Sequence, residues 1–389
     1  MSLLHDTFRR LDLSRLPTPC YVVDAALLER NLQLLARVQA ESGAKVLLAL
    51  KGFAMFHFAP LISRYLSGVC ASGLFEAKLG REYFGGEVHT FSAAYPPADM
   101  DEVLKLSDHV IFNSCNQWDR FRVQALAAAE HKPLHFGLRI NPQQSEGAVP
   151  IYDPSAPGSR LGIIRGQLRD ASLEGISGLH FHNLCEQDVP PLRRTLAAVE
   201  RQFGDILPQM QWVNFGGGHH ITREDYAVDE LIALIRNFRE RWGVEVFIEP
   251  GEAIALGTGV YVTEILDVTW NHMNLAIIDG SCSAHLPDVL EMPYRPDVLG
   301  GAMPHARPYT YRIGGLTCLA GDVIGDYSFD HALEPGQRLM FMDMAHYTMV
   351  KTNTFNGVRL PAILAWDSRS DTLTTVREFG YEDFKTRLS

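Results

Sequence analysis

Lys51 closes the apolar run Lys45-Val-Leu-Leu-Ala-Leu-Lys51. An amine delivered by a buried strand must either pair with an acid or react. Two other segments end short apolar runs much later in the chain, Asn214-Phe-Gly-Gly-Gly-His219 and Phe247-Ile-Glu-Pro-Gly-Glu252. The triplet Gly216, Gly217, Gly218 carries a large backbone-entropy cost, and close approach of bare main-chain N–H groups to an anion is a common reason for it in a strand-to-helix turn. Glu249, directly before Pro250, puts a carboxylate at the end of an apolar run, where it needs a cationic partner.

An amine, a side-chain-free anion cradle and an acid are the three things pyridoxal phosphate asks of a protein, for its aldehyde, its phosphate and its ring nitrogen. Each group also has a plainer reading: a snorkelling surface lysine, a tight turn, and a structural ion pair of Glu249 with Arg139. His180 and His182 alternate along one run and are expected to project to one face. They read either as a metal pair or as one imidazole, His182, stacked on a cofactor ring with His180 as its polar neighbour. Stacking is preferred and no metal is assigned, because no third and fourth ligand has convincing spacing, although His219 and His220 keep the metal reading in play. Cys318, in Gly314-Gly-Leu-Thr-Cys-Leu-Ala-Gly-Asp322, sits in a glycine-rich loop near an acid and is a candidate proton donor.

The elements that must position these groups follow from the hydropathy pattern. Tyr21-Val-Val opens an alternation of short apolar runs and amphipathic stretches, with a helix predicted from Ala25 to Gln39 under an Asp24 N-cap. The strand ending at Lys51 and seven more, at Gly68–Ala71, Glu87–Phe91, His109–Phe112, His135–Ile140, Gly178–His182, Trp212–Phe215 and Val244–Glu249, number eight. Eight βα units close a parallel barrel, and barrel chemistry lies at strand C-termini, where Lys51, His182, Gly216 and Glu249 fall. Beyond Gly259 come strand-length runs without intervening helices. The predicted fold class is therefore α/β: a (β/α)8 TIM barrel over residues 22–259, then an antiparallel β domain of Greek-key barrel or sandwich type from 1–21 plus 260–389. Asn141 to Arg160, rich in proline, is expected to be a surface loop or lid.

Composition limits the partners. The net charge of −11 over 389 residues disfavours a nucleic-acid backbone and suits cationic small molecules. Six scattered cysteines without C-x-x-C are expected to be mostly buried thiols in a reducing compartment. No apolar run reaches the ~20 residues of a membrane helix, so a cytoplasmic protein without membrane contact is expected.

Ala49-Leu-Lys-Gly52, His180-Phe-His182, Asn214-Phe-Gly-Gly-Gly218, Glu249-Pro-Gly-Glu252, Thr317-Cys318 with Asp322, Ala345-His-Tyr-Thr348 and Thr354-Phe-Asn-Gly357 together resemble the alanine-racemase-like, fold-type III pyridoxal phosphate decarboxylases. The run Leu286-Pro-Asp-Val-Leu-Glu-Met-Pro-Tyr-Arg-Pro296 and Glu252 look most like the carboxynorspermidine/carboxyspermidine decarboxylase branch, with diaminopimelate or another basic amino acid as the alternative substrate. A cofactor-binding protein without catalysis is the reading from a different class. The resemblance implies that Lys51 carries the cofactor, His182 stacks on its ring, Glu249 holds its nitrogen, and Gly216 to Gly218 with Tyr347 bind phosphate. It also implies a homodimer in which Cys318 comes from the neighbouring subunit. Two positions depart from the wider family: Glu252 replaces an arginine, and Leu319 replaces an acid after the cysteine. These departures suit a carboxylated polyamine with several ammonium groups. Asp288 and Glu252 are the leading candidates for binding them, followed by Glu291 and Asp322.

Overall fold

Runs of Val, Leu, Ile and Phe at the predicted positions become strands buried along nearly their whole length, as a closed parallel sheet requires. The computed structural model of the chain describes residues 3–147, 150–168 and 173–389. After β1 (Cys20–Asp24) come β2 (Lys45–Ala49), β3 (Gly68–Ala71), β4 (Glu87–Phe91), β5 (His109–Phe112), β6 (His135–Arg139), β7 (Ile176–His180), β8 (Trp212–Asn214) and β9 (Glu245–Ile248). Strands β2 to β9 pair in order and close into the expected eight-stranded barrel. Leu47, Ile111, Trp212 and Phe247 fill its interior. Trp212 needs two glycines across from it: a Cβ on Gly178 would lie 2.0 Å from the indole, and one on Gly137 would lie 2.3 Å away. The barrel unit spans 31–254.

The second unit comprises residues 1–30 and 255–389. Its strands are β1, β10 (Gly259–Trp270), β11 (Asn274–Ile278), β12 (Tyr309–Gly314), β13 (Val323–Phe329), β14 (Arg338–Met342), β15 (Ala362–Asp367) and β16 (Thr372–Arg377). They form one sheet in the order β13-β12-β11-β10-β1-β15-β16, with β14 also on β10. The sheet is mostly antiparallel, as expected, with parallel pairs β1/β15 and β11/β12. Strand β1 opened the alternating pattern in the sequence, yet it pairs with β10 and β15 in this sheet. All five of its residues are buried, so hydropathy alone does not say which sheet it joins. Asp24 caps the helix Ala25–Ser42 as predicted, accepting from the Leu27 amide at 3.2 Å, and also accepts from the Ser368 amide and hydroxyl.

Two segments differ from their sequence readings. Cys282–His285 and Pro287–Glu291 are short helices within the region expected to hold strands without intervening helices. Of the cysteines, Cys20 and Cys282 are buried, Cys70 and Cys115 are half-buried, and Cys185 and Cys318 are exposed, because the last two lie on loops rather than inside elements. Segment 141–160, outside 148–149, which fall beyond the described residues, is largely irregular, and parts of it wall a polar cleft of about 680 Å³ with Asn113 and Ser114.

Near the N-terminal ends of β4, β5 and β6, His109 stacks on His89 with ring centroids 3.9 Å apart and lies 4.7 Å from His135. Burial first, then the neighbouring imidazoles and Lys45, push His109 far below its ordinary range. It is therefore neutral in the fold, whereas the unfolded chain protonates it below about 6.5. Stability should fall as pH drops below 6.5, by up to about 1.4 kcal/mol per pH unit for this one group. Urea denaturation at pH 7, 6 and 5 should show a shallower acid limb for His109→Phe than for the parent; identical limbs would remove His109 as the cause.

Candidate active site

The chemistry-bearing residues of the barrel gather at the C-terminal ends of β2, β7, β8 and β9. Lys51 stands two residues beyond β2. Its approach is fixed by the Ala49 amide on the Pro250 carbonyl and the Leu50 amide on the Cys70 carbonyl, both at 3.1 Å. Gly52 packs against Gly251, where a Cβ would come within 2.9 Å of backbone. The Lys51 side chain is half-buried, and its ammonium makes no hydrogen bond or ion pair with any described residue. Its charge is felt by Cys70, His180 and His182.

Glu249, 7% exposed, follows β9 directly. It accepts from the Asn214 amide nitrogen at 2.7 Å, and His180 Nε2 lies 3.1 Å from its other oxygen. Burial raises the Glu249 carboxyl, but His180, His89 and Asn214 outweigh it and hold the group down at about 2. The ion pair with Arg139 that the sequence left open does not form. Arg139 instead donates to the His182 carbonyl at 2.8 Å and lies over the Phe91 ring at 4.6 Å. Phe91 in turn stacks on His180. Each carboxylate oxygen of Glu249 thus keeps acceptor capacity for one more donor.

Strand β7 ends at His180, so His182 lies outside it and the two imidazoles do different work. His182 Nδ1 accepts from the Gly217 amide at 2.6 Å, which leaves the proton of the neutral ring on Nε2. Burial, then the charges of Lys51 and Arg139, keep His182 well below its ordinary range, so it is neutral at working pH. Two groups of possible metal ligands exist among the described residues, Glu87 with His89 and His109, and Glu186 with His220 and Glu252. Neither contains His180 or His182; the second contains His220, one of the two histidines that keep the metal reading in play.

The glycine turn is a cradle that side chains would fill. A Cβ on Gly216 would lie 2.4 Å from the Phe181 carbonyl oxygen, one on Gly217 2.4 Å from that of Glu249, and one on Gly218 2.0 Å from that of Leu184. Gly216 and Gly218 also adopt φ of +70° and +82°, which favours glycine. The Gly216 amide is committed to Asn214 Oδ1 and the Gly217 amide to His182. The next two amides, of Gly218 and His219, meet no acceptor among the described residues. An unreacted amine, a buried anionic acid and a bare cradle ending in unspent amides fit pyridoxal phosphate on the chemistry of the donors alone. Glu252 lies beside the cradle, 3.3 Å from His220 Nε2.

The remaining sequence-derived residues belong to the β-sheet unit. Cys318 is exposed, and its amide donates to Asn356 Oδ1 at 2.9 Å. Asp322, 4% exposed, accepts from Ser281 Oγ, the Cys282 amide, and the amide and hydroxyl of Thr317. With its lone pairs spent, it clasps the Cys318 loop to the helix at Cys282 and has little left for a substrate amine. Asp288 and Glu291 share one helix, and both bind Lys351 Nζ. Lys351 also lies over the ring of Tyr347, which has φ of +47°. Sequence reasoning did not single out Asn214, Lys351 and Asn356, although each lies inside or beside a quoted motif. Their signal was polarity next to residues with stronger chemical claims.

Comparison with known proteins bears on all of this. A family model described as the pyridoxal-dependent decarboxylase, C-terminal sheet domain, matches residues 20–345. The chain is 44% identical to the carboxyaminopropylagmatine decarboxylase of Synechocystis sp., covering 97% of this chain and 96% of that one. It is 41% identical to the carboxynorspermidine/carboxyspermidine decarboxylase of Campylobacter jejuni, covering 96% and 99%. The solved structure of the Campylobacter jejuni carboxynorspermidine decarboxylase complexed with norspermidine matches with a TM-score of 0.88 at 41% identity, over 96% of this chain and 100% of that one. A diaminopimelate decarboxylase from Helicobacter pylori, at 16% identity and a TM-score of 0.79, shares the fold. With a matching family model over most of its length and near-full-length relatives of this kind, the chain belongs to the pyridoxal-dependent decarboxylases.

Proposed function

We propose that this protein removes the α-carboxylate of a carboxylated polyamine, carboxynorspermidine or carboxyspermidine, with pyridoxal phosphate carried by Lys51. The observation that carries the reading is the half-buried Lys51 ammonium, which has no acid partner among the described residues although it stands at the same barrel end as Glu249. When bound, the cofactor supplies an aldehyde that engages amines and a ring that accepts the electron pair left when CO₂ departs. Lys51 would hold the cofactor. Glu249, kept ionised by His180 and Asn214, holds a proton on the ring nitrogen. His182, neutral and fixed by the Gly217 amide, would pack on the ring, and Gly216 to Gly218 with Tyr347 are assigned to the phosphate.

Cys318 is assigned the return of a proton to the substrate carbon. The protein is further proposed to be a cytoplasmic homodimer in which the partner subunit's Cys318 completes each site. Exposed Leu316, Leu319 and Phe355 around the Cys318 loop support that pairing. No helix among the described residues is long and apolar enough to cross a membrane. Asp288, Glu291 and Glu252 are assigned to the amines of the substrate. Asp322 is assigned to hold the Cys318 loop.

The 44% identity to a carboxyaminopropylagmatine decarboxylase favours a second reading, in which the distal cation is a guanidinium. A planar guanidinium takes a carboxylate in bidentate fashion, whereas an ammonium acts as a point charge. A CO₂-release panel of carboxynorspermidine, carboxyspermidine, carboxyaminopropylagmatine and diaminopimelate decides between them. One of the first three should exceed diaminopimelate in kcat/KM by about 10²-fold or more, since polar sites reject mismatched ligands strongly. Preference for diaminopimelate would overturn the polyamine reading.

A further inference from the structure

Asp288 and Glu291, the acids assigned to the substrate, already hold an ammonium. Lys351 Nζ binds Asp288 Oδ1 and lies 2.8 Å from Glu291 Oε2. Asp288 is 9% exposed, whereas Glu291 is exposed. The lysine is anchored from behind. Its amide bonds the Tyr347 and Thr348 carbonyls, and the Asn353 amide and side chain bond the Ala284 and Ser283 carbonyls. Segment 347–353 is thereby tied to the helix Cys282–His285, which directly precedes the one that carries the two acids. Burial lowers the Lys351 ammonium, but hydrogen bonds to the two acids outweigh it and raise the group above its ordinary range, so it stays charged.

Asp288 and Glu291 share the one Lys351 ammonium. An arriving substrate cation must share the acids with Lys351 or displace it. We infer that Lys351 is a built-in placeholder cation, which occupies the acidic cluster in the free enzyme and sets how tightly, and with how many positive charges, a polyamine engages it. This rests on the polyamine reading above and adds a specificity-determining residue to it. In the free enzyme the placeholder spares Asp288 the cost of a buried, unpaired charge. When substrate binds, it replaces that cost with a competition between two cations.

The test uses the cofactor-loaded protein and spermidine as probe, with affinity measured by calorimetry at two ionic strengths and KM and kcat measured in parallel. Lys351→Met should bind spermidine more tightly, by on the order of fivefold given the worth of a part-exposed ion pair. The dependence on salt should steepen, since one more unscreened acid meets the ligand. KM should fall with kcat little changed, and Lys351→Arg should restore parental affinity. Unchanged or weaker binding by a folded Lys351→Met protein overturns the placeholder. Asp288→Asn should weaken spermidine binding in either background. If it does not while Lys351→Met tightens binding, the acids do not meet the ligand and the placeholder fails. The decarboxylase reading is judged separately, by the visible absorption of the Lys51-bound cofactor and by CO₂ release in the parent protein.

Discussion

Lys51→Ala is expected to reduce decarboxylation by on the order of 10³–10⁴ or more and to erase the visible absorption of the bound cofactor. The amine proposed to hold the aldehyde is gone, and no second lysine among the described residues is positioned at the β2 exit to replace it. The fold should be indifferent, because the Lys51 ammonium makes no hydrogen bond or ion pair with any described residue to lose. A melting temperature near that of the parent is therefore part of the expectation. Lys51→Arg separates charge from reactivity: it keeps the cation felt by His182 and Cys70 but cannot condense with an aldehyde, and it should be as inactive as the alanine variant. Turnover and colour surviving in Lys51→Ala, or no borohydride-trapped adduct at position 51 in the parent, would falsify the assignment.

Glu249→Gln should come next in size, with kcat lowered by roughly 10²–10³ and KM moved little. An amide cannot hold a proton on the ring nitrogen as a carboxylate does, and that proton matters only while the electron pair is spread into the ring. The same variant carries a pH signature. The carboxyl is held down to about 2 from an ordinary 4.5, so its stabilisation is complete above about 4.5 and is lost as pH falls toward about 2. The difference between the two values corresponds to on the order of 3 kcal/mol. Denaturation at pH 6 and pH 3 should show a smaller acid loss for the glutamine variant than for the parent. A parental kcat in Glu249→Gln would assign the acid to structure alone.

Much of the barrel was legible because its signals are local. Each of the eight strands is a short run of apolar residues, buried on both faces and bounded by turn chemistry, and each declares itself without reference to the others. Lys51, the glycine triplet and Glu249 were legible for a related reason: each is chemically costly where it stands, and such a cost is visible one segment at a time. Strand β1 was misread into the alternating series because its pairing with β10 and β15 is a relation between positions far apart in the chain.

The acids show the limit most plainly. Asp288, Glu291 and Asp322 look alike in sequence as carboxylates in polar loops. Only the fold distinguishes Asp322, saturated by Ser281, Cys282 and Thr317, from the two acids bound to Lys351, more than fifty residues away. His180 and His182 likewise part company once β7 stops at His180, which leaves one ring on Glu249 and the other on a glycine amide.

The sequence by itself determined the strand count, the strand-end lysine, the side-chain-free glycine turn and the buried acid, because burial pattern and backbone entropy act within a few residues. Tertiary structure decided which acids are spent and which are already paired, because hydrogen-bond saturation and charge compensation depend on partners that only folding brings within 3 Å of each other.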